Sequence, residues 1–532
     1  MIDTGRVKET QYDAPNDITR LVETWASRAA CKQRKGRAGR VQVGKCYKMY
    51  TRQTEQERMA ERQVPEMRRT PLESVCLGVL AMGVRDVRAF LDSAVTPPEE
   101  VAVDAALAVL ERVGAYTRLN ADGEEDRSGG WGKLTTLGKY MSLIPASLPA
   151  SKLLIYGVLF DLLEPALTLA ALMSSKSPFV DPMDKREESK AIRMKFSLAA
   201  LGPGSAGSGY CQGDILSQYA AYTSWSHSMH TARLPQREIK FWCEENFLSH
   251  HTLLDIVSTR AQLLSSLKEA GLVDVAYSSP NPVAYGVGNA NPADLQWFLH
   301  PSESHTLRTH LLAPALAPMN IARIVMPKQK YHESAAGAIA TDNEARELKY
   351  YASSPDGGGR VFIHPSSTLF SSQTYGVPWV CFGTKVGGGA AFRANLSNNP
   401  AEGDSSGSSA VALKPGQIPP KTFIRDVTPL SIYSLLLLTP PTTGSYGDSG
   451  GHLAFALDTL GRGIILDNGT LRVRTWGRIG VLIGCLRRLV GGVLGEKMML
   501  EGKLDGGSEE EELRRREIIG VVKWVLVGDG HH

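Results

Sequence analysis

The sequence predicts a multidomain α+β chain. Three observations carry that expectation. The chain has 532 residues, room for roughly three to five domains of about 100–150 residues each. Helix-type apolar spacing runs through residues 53–275. Near residue 320 the pattern changes to short β-type runs punctuated by Gly, Pro and Ser. The 42% hydrophobic and 21% charged content is that of a globular protein able to bury cores. The formal charge of +4 permits a nucleic-acid partner without arguing for one, because a local basic surface matters more than a net sum.

Residues 1–52 read as the end of an α/β unit. Met1–Asp3 is a strand remnant, Thr4 and Gly5 form a turn, and an amphipathic stretch covers Ile18–Arg28. A Gly/Arg segment at 33–40 reads as a loop, and Val43–Tyr50 as a strand. A sheet that opens in mid-domain is expected to lack its N-terminal half. Residues 53–131 are helical by the spacing in PLESVCLGVLAMGV and VDAALAVLERVGAY, ending at a turn-rich break over Asp122–Gly132. Residues 132–275 are helical again, with a Gly/Ser loop at 202–209. Residues 276–440 hold ARIVMP, RVFIHPSS, PWVCFGTKV and TFIRDVTPL, the look of a small β-barrel, with a low-complexity loop at 397–409. Residues 441–532 add a β-type segment (GIILDNGTLRV), a helical one (IGVLIGCLRRLVGGVLGEKM) and a charged run, Glu509–Arg516, read as a solvated helix face.

The seven cysteines stand singly, with no CxxC pair. That argues against a zinc site or a disulfide framework and for a reducing compartment. The N-terminus lacks a signal-peptide core. No apolar run reaches the about 18 residues of a membrane span; the longest is Leu430–Leu438. The expected setting is the cytoplasm, with the nucleus as an alternative, and no membrane.

The chemically informative segment is Gln33-Arg34-Lys35-Gly36-Arg37-Ala38-Gly39-Arg40. Three arginines spaced three apart can aim planar, bidentate guanidinium forks at one phosphate target. Glycines at 36 and 39 allow close backbone packing and unusual dihedrals. Such a cluster suits the charge that spreads over a transferring γ-phosphoryl group. A basic octamer in general is a solvated or nucleic-acid-binding surface; the Gln at the front and Gly at both spacers point away from that.

QRKGRAGR resembles the sixth conserved motif of superfamily 2 helicases in the form used by the DEAH/RHA family of ATP-dependent RNA helicases. The flanks IDTGRVKE (2–9) and GKCYKMYTR (44–52) resemble the end of that family's second RecA-like domain. VPEMRRTPLESVCLGVLAMG resembles the start of its winged helix. LTTLGKYMSLIPASLPASKLLIYGVLF and FLSHHTLLDIVSTRAQL resemble its helical ratchet, and GGRVFIHPSSTLF its OB-fold. The tail resembles the C-terminal extension of the longer members.

The resemblance implies a partial RecA-like domain (1–52), a winged helix (53–131), a helical ratchet bundle (132–275), an OB-fold β-barrel (276–440) and a C-terminal extension (441–532). It implies Arg37 and Arg40 as arginine fingers, with Gln33, Arg34, Gly36 and Gly39 around the phosphates. Arg34 would support the loop or couple it to the other domain. RNA contacts would come from Arg6 and Lys8, from Arg260 and Gln262 on a ratchet helix, and from Arg360, His364, Ser366 and Ser367 at an OB strand end. Arg260 has the alternative of pairing with a neighbouring carboxylate, and His364 of fixing the turn before Pro365. Tyr350 and Tyr351 are candidates for stacking on bases. The segment 10–21 lies where the family carries a strand-parting hairpin, and is too short and polar to establish one by itself.

The sequence contains no DEAH quartet, and its nearest approach to a GK[ST] phosphate loop, Gly129–Leu134, has Leu at the hydroxyl position and reads as a turn. ATP and Mg²⁺ are therefore expected in the full-length enzyme and not for this chain alone. Expected partners are single-stranded or structured RNA, the missing N-terminal helicase domains, and a protein activator or the ribosome. The rivals are an ATP-independent RNA-binding or adaptor protein built from the same domains, and a truncated fragment that does not fold stably.

Overall fold

The computed structural model describes residues 1–13, 18–119, 131–198, 212–230, 235–279, 305–317, 319–325, 330–334, 337–341, 347–352, 359–371, 377–387, 421–438, 456–457, 463–466, 471–499 and 509–527. The low-complexity loop at 397–409, the Gly/Ser segment at 202–209 and most of the break at 122–132 lie outside them. In chain order the first elements are β1 (Ile2–Asp3), β2 (Arg6–Asp13), β3 (Ile18–Trp25), α1 (Arg28–Arg37), β4 (Tyr47–Lys48), α2 (Arg52–Glu57), α3 (Glu73–Ala81), α4 (Val87–Asp92) and α5 (Glu100–Val113). Then come β5 (Tyr116–Leu119), β6 (Trp131–Leu134), α6 (Thr136–Leu143), α7 (Leu148–Leu159), α8 (Leu163–Ser174), α9 (Arg186–Leu198), α10 (Asp214–His230), α11 (Gln236–Glu245) and α12 (His250–Glu269). A π-helical turn, Leu307–Leu312, runs into α13 (Ala313–Leu316). The β-rich part holds β7 (Ile321–Val325), β8 (Lys330–Ser334), β9 (Gly337–Thr341), β10 (Lys349–Ala352), β11 (Arg360–Ile363), β12 (Trp379–Cys381), β13 (Thr384–Gly387), β14 (Thr422–Arg425), β15 (Thr428–Leu430) and α14 (Ile432–Leu438). The chain closes with β16 (Ala456–Leu457), β17 (Gly463–Leu466), β18 (Leu471–Arg474), α15 (Gly477–Met499) and α16 (Glu509–Val527).

The chain divides into two compact units. The first comprises Met1–Cys76, Asp86–Leu107 and Thr384–Phe423. In it β1 pairs in parallel with β4, while β2 and β3 form an antiparallel hairpin in register from Arg6↔Trp25 to Asp13↔Ile18. A small core of Ala26, Cys31 and Met59, with Val7, Trp25, Ala30 and Tyr50 around it, seats α1 against the hairpin.

Three local expectations are corrected here, and the hairpin position considered over residues 10–21 is occupied by one. The stretch 18–28 is a strand up to Trp25, because β-branched and aromatic residues (Ile18, Thr19, Val22, Thr24, Trp25) outnumber helix formers there and pair with β2. Residues 10–13 and 18–21 belong to the paired strands β2 and β3; cross-strand pairing along eight residues does not require apolar alternation. The arginine motif is mostly helical rather than a loop. Ser27 caps α1 by accepting from the Ala30 amide at 3.2 Å, and Arg, Ala, Lys and Gln carry the helix on to Arg37. The strand expected over Val43–Tyr50 shrinks to Tyr47–Lys48.

The second unit comprises Leu77–Arg85, Ala108–Gly383 and Ile424–His532. β5 pairs with β6, so Gly132 and Lys133 lie in a strand rather than a turn. α7 and α8 are apolar almost all round and are correspondingly buried. Two charges share that interior. Glu164 of α8 receives Arg260 of α12 at 2.6 Å, Tyr277 at 2.8 Å and Ser279 at 2.7 Å. Lys152 of α7 is fully buried and donates to the carbonyl of Val113 at the end of α5, 2.9 Å away.

The β-rich part orders its strands β15-β12-β7-β10-β11-β14. Alternation sends Ile324, Tyr350, Ala352, Val361, Ile363 and Val380 into one core. The intervening residues of β7, β10 and β11 face outward. Further on, β16, β17 and β18 form a small antiparallel sheet. α16 is tied back by His305 Nε2 at 2.8 Å from the Leu526 carbonyl and by Lys523 at 3.2 Å from Asp161. Among the described residues no single helix is long and apolar enough to cross a membrane.

Candidate nucleic-acid interface

Strand β11 leaves the sheet at Ile363, and Pro365 stops it from continuing. The turn that follows presents His364 and Ser366. Arg425, exposed at the end of β14, donates to His364 Nε2 at 2.9 Å. Nδ1 lies 2.7 Å from Ser366 Oγ and receives the Ser366 amide at 3.2 Å. Burial, and next the positive charge of Arg425, hold the His364 pKa below that of an ordinary histidine, against an opposing pull from Asp214. The ring is therefore neutral at pH 7. From the helical side, Arg193 of α9 donates to the Ser366 carbonyl at 2.9 Å and to Asp181 at 2.7 Å.

What holds this turn is Asp214, the first residue of α10. Its carboxylate accepts from Ser367 Oγ at 2.8 Å, from the Thr368 amide at 2.7 Å and hydroxyl at 2.9 Å, and from the Val427 amide at 2.9 Å. Its own amide donates to the Val427 carbonyl at 3.0 Å. Gly213 before it has φ +98, and a Cβ there would stand 2.5 Å from the Val427 oxygen, so only glycine fits. A carboxylate at the start of a helix also meets the positive end of the helix dipole. Beside it, Asp426 stands at φ +56. Burial, and then the charge of Asp214, push its pKa up to about 6.

The expected contacts divide on these facts. His364 and Ser366 are brought together with Arg425 and Arg193, which sequence reasoning missed. TFIR marks Arg425 only as a strand residue, and Arg193 lies on another element, so nothing local signals either. Ser367 is buried and its hydroxyl is spent on Asp214, so it braces the turn rather than facing a ligand. Tyr350 is in the core at 6% exposure, while Tyr351 is outward. Arg360 is exposed on β11.

On α12, Arg260 and Gln262 do not share a fate. Two residues along a helix are about 200° apart. Gln262 is exposed, whereas Arg260 is buried in its ion pair with Glu164 and leans on the Tyr222 hydroxyl at 3.4 Å. The expectation that Arg260 faces a channel is corrected on that ground.

In the first unit, Gln33, Arg37 and Arg40 are exposed. Arg34 is half-buried and points inward, donating to Asp3 and to the Arg6 carbonyl, each at 3.2 Å. Arg6 lays its guanidinium 3.5 Å from the centre of the Trp25 ring, and Lys8 is exposed on the same hairpin strand. Neither Gly36 nor Gly39 has a left-handed backbone, and a Cβ on either would meet nothing within 4 Å. Packing among the described residues therefore does not require these glycines. The exposed donors suit the outer oxygens of a polyphosphate. For a divalent metal the described residues offer no group of three His, Cys, Asp or Glu.

Two regions of the chain match known protein families. Residues 147–229 match the ratchet-like helicase associated domain (HA2), and residues 318–442 match an oligonucleotide/oligosaccharide-binding (OB) fold. A putative DEAH-box ATP-dependent helicase, UM11114, of Mycosarcoma maydis is 37% identical over 93% of this chain and 28% of its own length. The putative ATP-dependent RNA helicase ucp12 of Schizosaccharomyces pombe is 32% identical over 98% of this chain and 33% of its own. The ATP-dependent RNA helicase DHX29 of Homo sapiens is 30% identical over 73% of this chain and 24% of its own. The chain thus spans about a third or less of these relatives. With both domains and near-complete coverage by such relatives, it belongs to the DEAH-box/DExH helicase family and carries that family's helicase-associated and OB-fold regions.

Proposed function

We propose that this chain is the RNA-handling region of an ATP-dependent RNA helicase and supplies arginine fingers to its nucleotide site. The observation that carries the reading is the turn at His364–Ser366, where Arg425 and Arg193 converge on a polar strand end held rigidly by Asp214. The exposed Arg425 beside a turn that Arg193 and Asp214 brace suits the backbone phosphates of a single strand. Gln262 would extend the contact within the second unit, and Arg6 and Lys8 would supply separate RNA contacts on the first.

Residues 1–52 serve as the edge of a RecA-like domain. Parallel pairing of β1 with β4 supports this, since parallel strands are usually buried on both faces, yet Ile2, Tyr47 and Met49 are 72%, 60% and 68% exposed. A neighbouring α/β body would cover them. Residues 53–131 serve as the winged helix, with β5 and β6 as its wing. Arg37 and Arg40 would reach the γ-phosphate and Gln33 the adjoining oxygens, with open space over Gly36 and Gly39 for the close approach. ATP and Mg²⁺ belong to the whole enzyme, and the bound nucleotide supplies the phosphoanhydride energy.

The test is filter binding of single-stranded RNA across a salt series, wild type against His364→Ala/Arg425→Ala. Affinity should fall several-fold, with a shallower salt slope for the variant. Equal affinity and slope would refute the turn as a contact. The chain alone should show no ATP turnover; measurable hydrolysis would refute its role as a supplier of fingers to another domain's site.

A further inference from the structure

Helices α15 and α16 lie beyond the two matched regions, 147–229 and 318–442. α16 packs against α15, and its inner side buries Val522 and Leu526. His305 holds the Leu526 carbonyl at 2.8 Å and Asp161 holds Lys523 at 3.2 Å, so that side is occupied by the chain itself. The opposite side is apolar too. Leu513, Val521, Trp524 and Val527 are 60%, 49%, 78% and 48% exposed. A helix that is apolar on both sides is ordinarily covered on both.

The outward residues fall on one seam. Leu513, Glu517, Gly520, Trp524 and Val527, all exposed, follow one another at alternating steps of four and three residues, the spacing by which one helix meets another. At 3.6 residues per turn the five lie within about 80° of one another, while Val522 and Leu526 point to the far side. A Cβ on Gly520 would meet nothing within 4 Å, so packing among the described residues does not ask for glycine there. A bare position one turn from Trp524 leaves a notch for an incoming side chain.

Charge decides what fills the seam. Among the described residues of α15 and α16 the exposed charges are Arg478, Arg488, Arg514 and Arg516 against Glu517. Arg514 and Arg516 occupy the two positions that border a helix seam, where charge selects the partner. A second copy would bring the same excess of cations against itself. Glu517, in the middle of the seam, repels phosphates and anionic lipid headgroups, whereas a partner helix can meet it with one Lys or Arg.

We propose that the outward seam of α16 docks an amphipathic helix of another protein, one with an apolar face, a single Lys or Arg opposite Glu517, and Asp or Glu along both borders. Trp524 is the anchor, and Arg514 and Arg516 set the choice of partner. The contact is independent of the RNA-handling reading above.

The test uses the whole 532-residue chain and two fluorescein-labelled synthetic helices of about 21 residues, three heptads each. Both carry Leu on the seam apart from one Lys placed to meet Glu517; one has Glu at the bordering positions, the other Lys. By fluorescence anisotropy at low salt the acidic helix should bind at least about tenfold more tightly than the basic one, and high salt should shrink that margin. Trp524→Ala should weaken the acidic helix about thirtyfold, the loss of a central aromatic anchor. Arg514→Glu/Arg516→Glu should reverse the preference. Gly520→Glu adds a helix former where nothing stands in the way, and should abolish binding with an unchanged circular dichroism spectrum. Failure of the acidic helix to bind, equal binding of the two helices, or binding that Trp524→Ala leaves unchanged overturns the proposal. So does a dimer in light scattering that Trp524→Ala dissociates, which would assign the seam to a second copy. Trp524-dependent binding to phosphatidylserine vesicles or to an oligouridylate, with no binding of the acidic helix, would overturn it in favour of lipid or RNA.

Discussion

Replacing Arg260 by alanine is expected to cost stability and leave RNA affinity unchanged. The Arg260 and Glu164 side chains are 8% and 4% exposed and meet at 2.6 Å. Removing one member of a buried pair commonly costs about 3–5 kcal/mol, because the survivor is left charged and dry. Here Glu164 keeps two hydroxyl donors, Tyr277 at 2.8 Å and Ser279 at 2.7 Å. Each hydrogen bond to a charged group is worth about 1.5–3 kcal/mol, so Arg260→Ala should fall at the low end, about 3 kcal/mol. Glu164→Gln strands the guanidinium with Tyr222 at 3.4 Å, and should cost nearer 5 kcal/mol. The double variant Glu164→Gln/Arg260→Met should be milder than the sum of the two singles. Urea unfolding followed by circular dichroism and by hydrogen exchange of α8 and α12 reads these differences, and filter binding at low temperature reads the affinity. An Arg260→Ala protein with unchanged unfolding and tenfold weaker RNA binding would refute the assignment of Arg260 to the interior.

Further outcomes follow from the buried titratable groups and the clamp. Burial pushes Lys152 down to about 7 from 10.5, so the unfolded chain binds the extra proton between those values and stability rises with pH across that window. Lys152→Met should abolish that rise and gain up to about 3 kcal/mol at pH 7, net of the lost bond to Val113, by pH-resolved urea titration. Asp426, at about 6, does the reverse: the folded state holds the proton, so stability falls as pH rises from about 4 to 6. Asp426→Asn, which tolerates the positive φ, should flatten that limb and add about 1–2 kcal/mol at pH 7.5, half the nominal shift because the group is partly exposed. Asp214→Asn loses a charged acceptor of four donors and should lower the melting temperature by several degrees, while loosening hydrogen exchange at Thr368 and Val427. Gly36→Ala in the isolated chain should be neutral or stabilising by up to about 1 kcal/mol, since α1 gains a better helix former and nothing stands in the way.

Much of this molecule is legible in its sequence, for identifiable reasons. Helices α7, α8 and α12 announce themselves through apolar spacing because each buries a broad face. β7, β11, β12 and β14 do so because β-branched and aromatic runs are bounded by Gly and Pro. The arginine motif is found by residue order alone. Its conformation is not, because Gly36 and Gly39 suggest a loop while Ser27, six residues before the first motif residue, starts the helix. Arg260 shows the commoner limit. Periodicity places it on α12, but which side of the helix is buried depends on Glu164, ninety-six residues away. Asp214, Arg193 and Arg425 are silent in the sequence for the same reason: each acts on a turn contributed by a different element.

The inward arginine of the motif has a mechanical corollary. Arg34 is bound to Asp3 and to the Arg6 carbonyl, at the root of the β2–β3 ribbon, while Gln63 Nε2 grips Glu9 further along it at 2.8 Å. Arg37 sits one turn further along the same helix, facing out. If Arg37 meets a phosphate as proposed, Arg34 is the link by which α1 passes that load to the ribbon. The outer fork and the root of the ribbon are thereby joined through one short helix within the first unit itself.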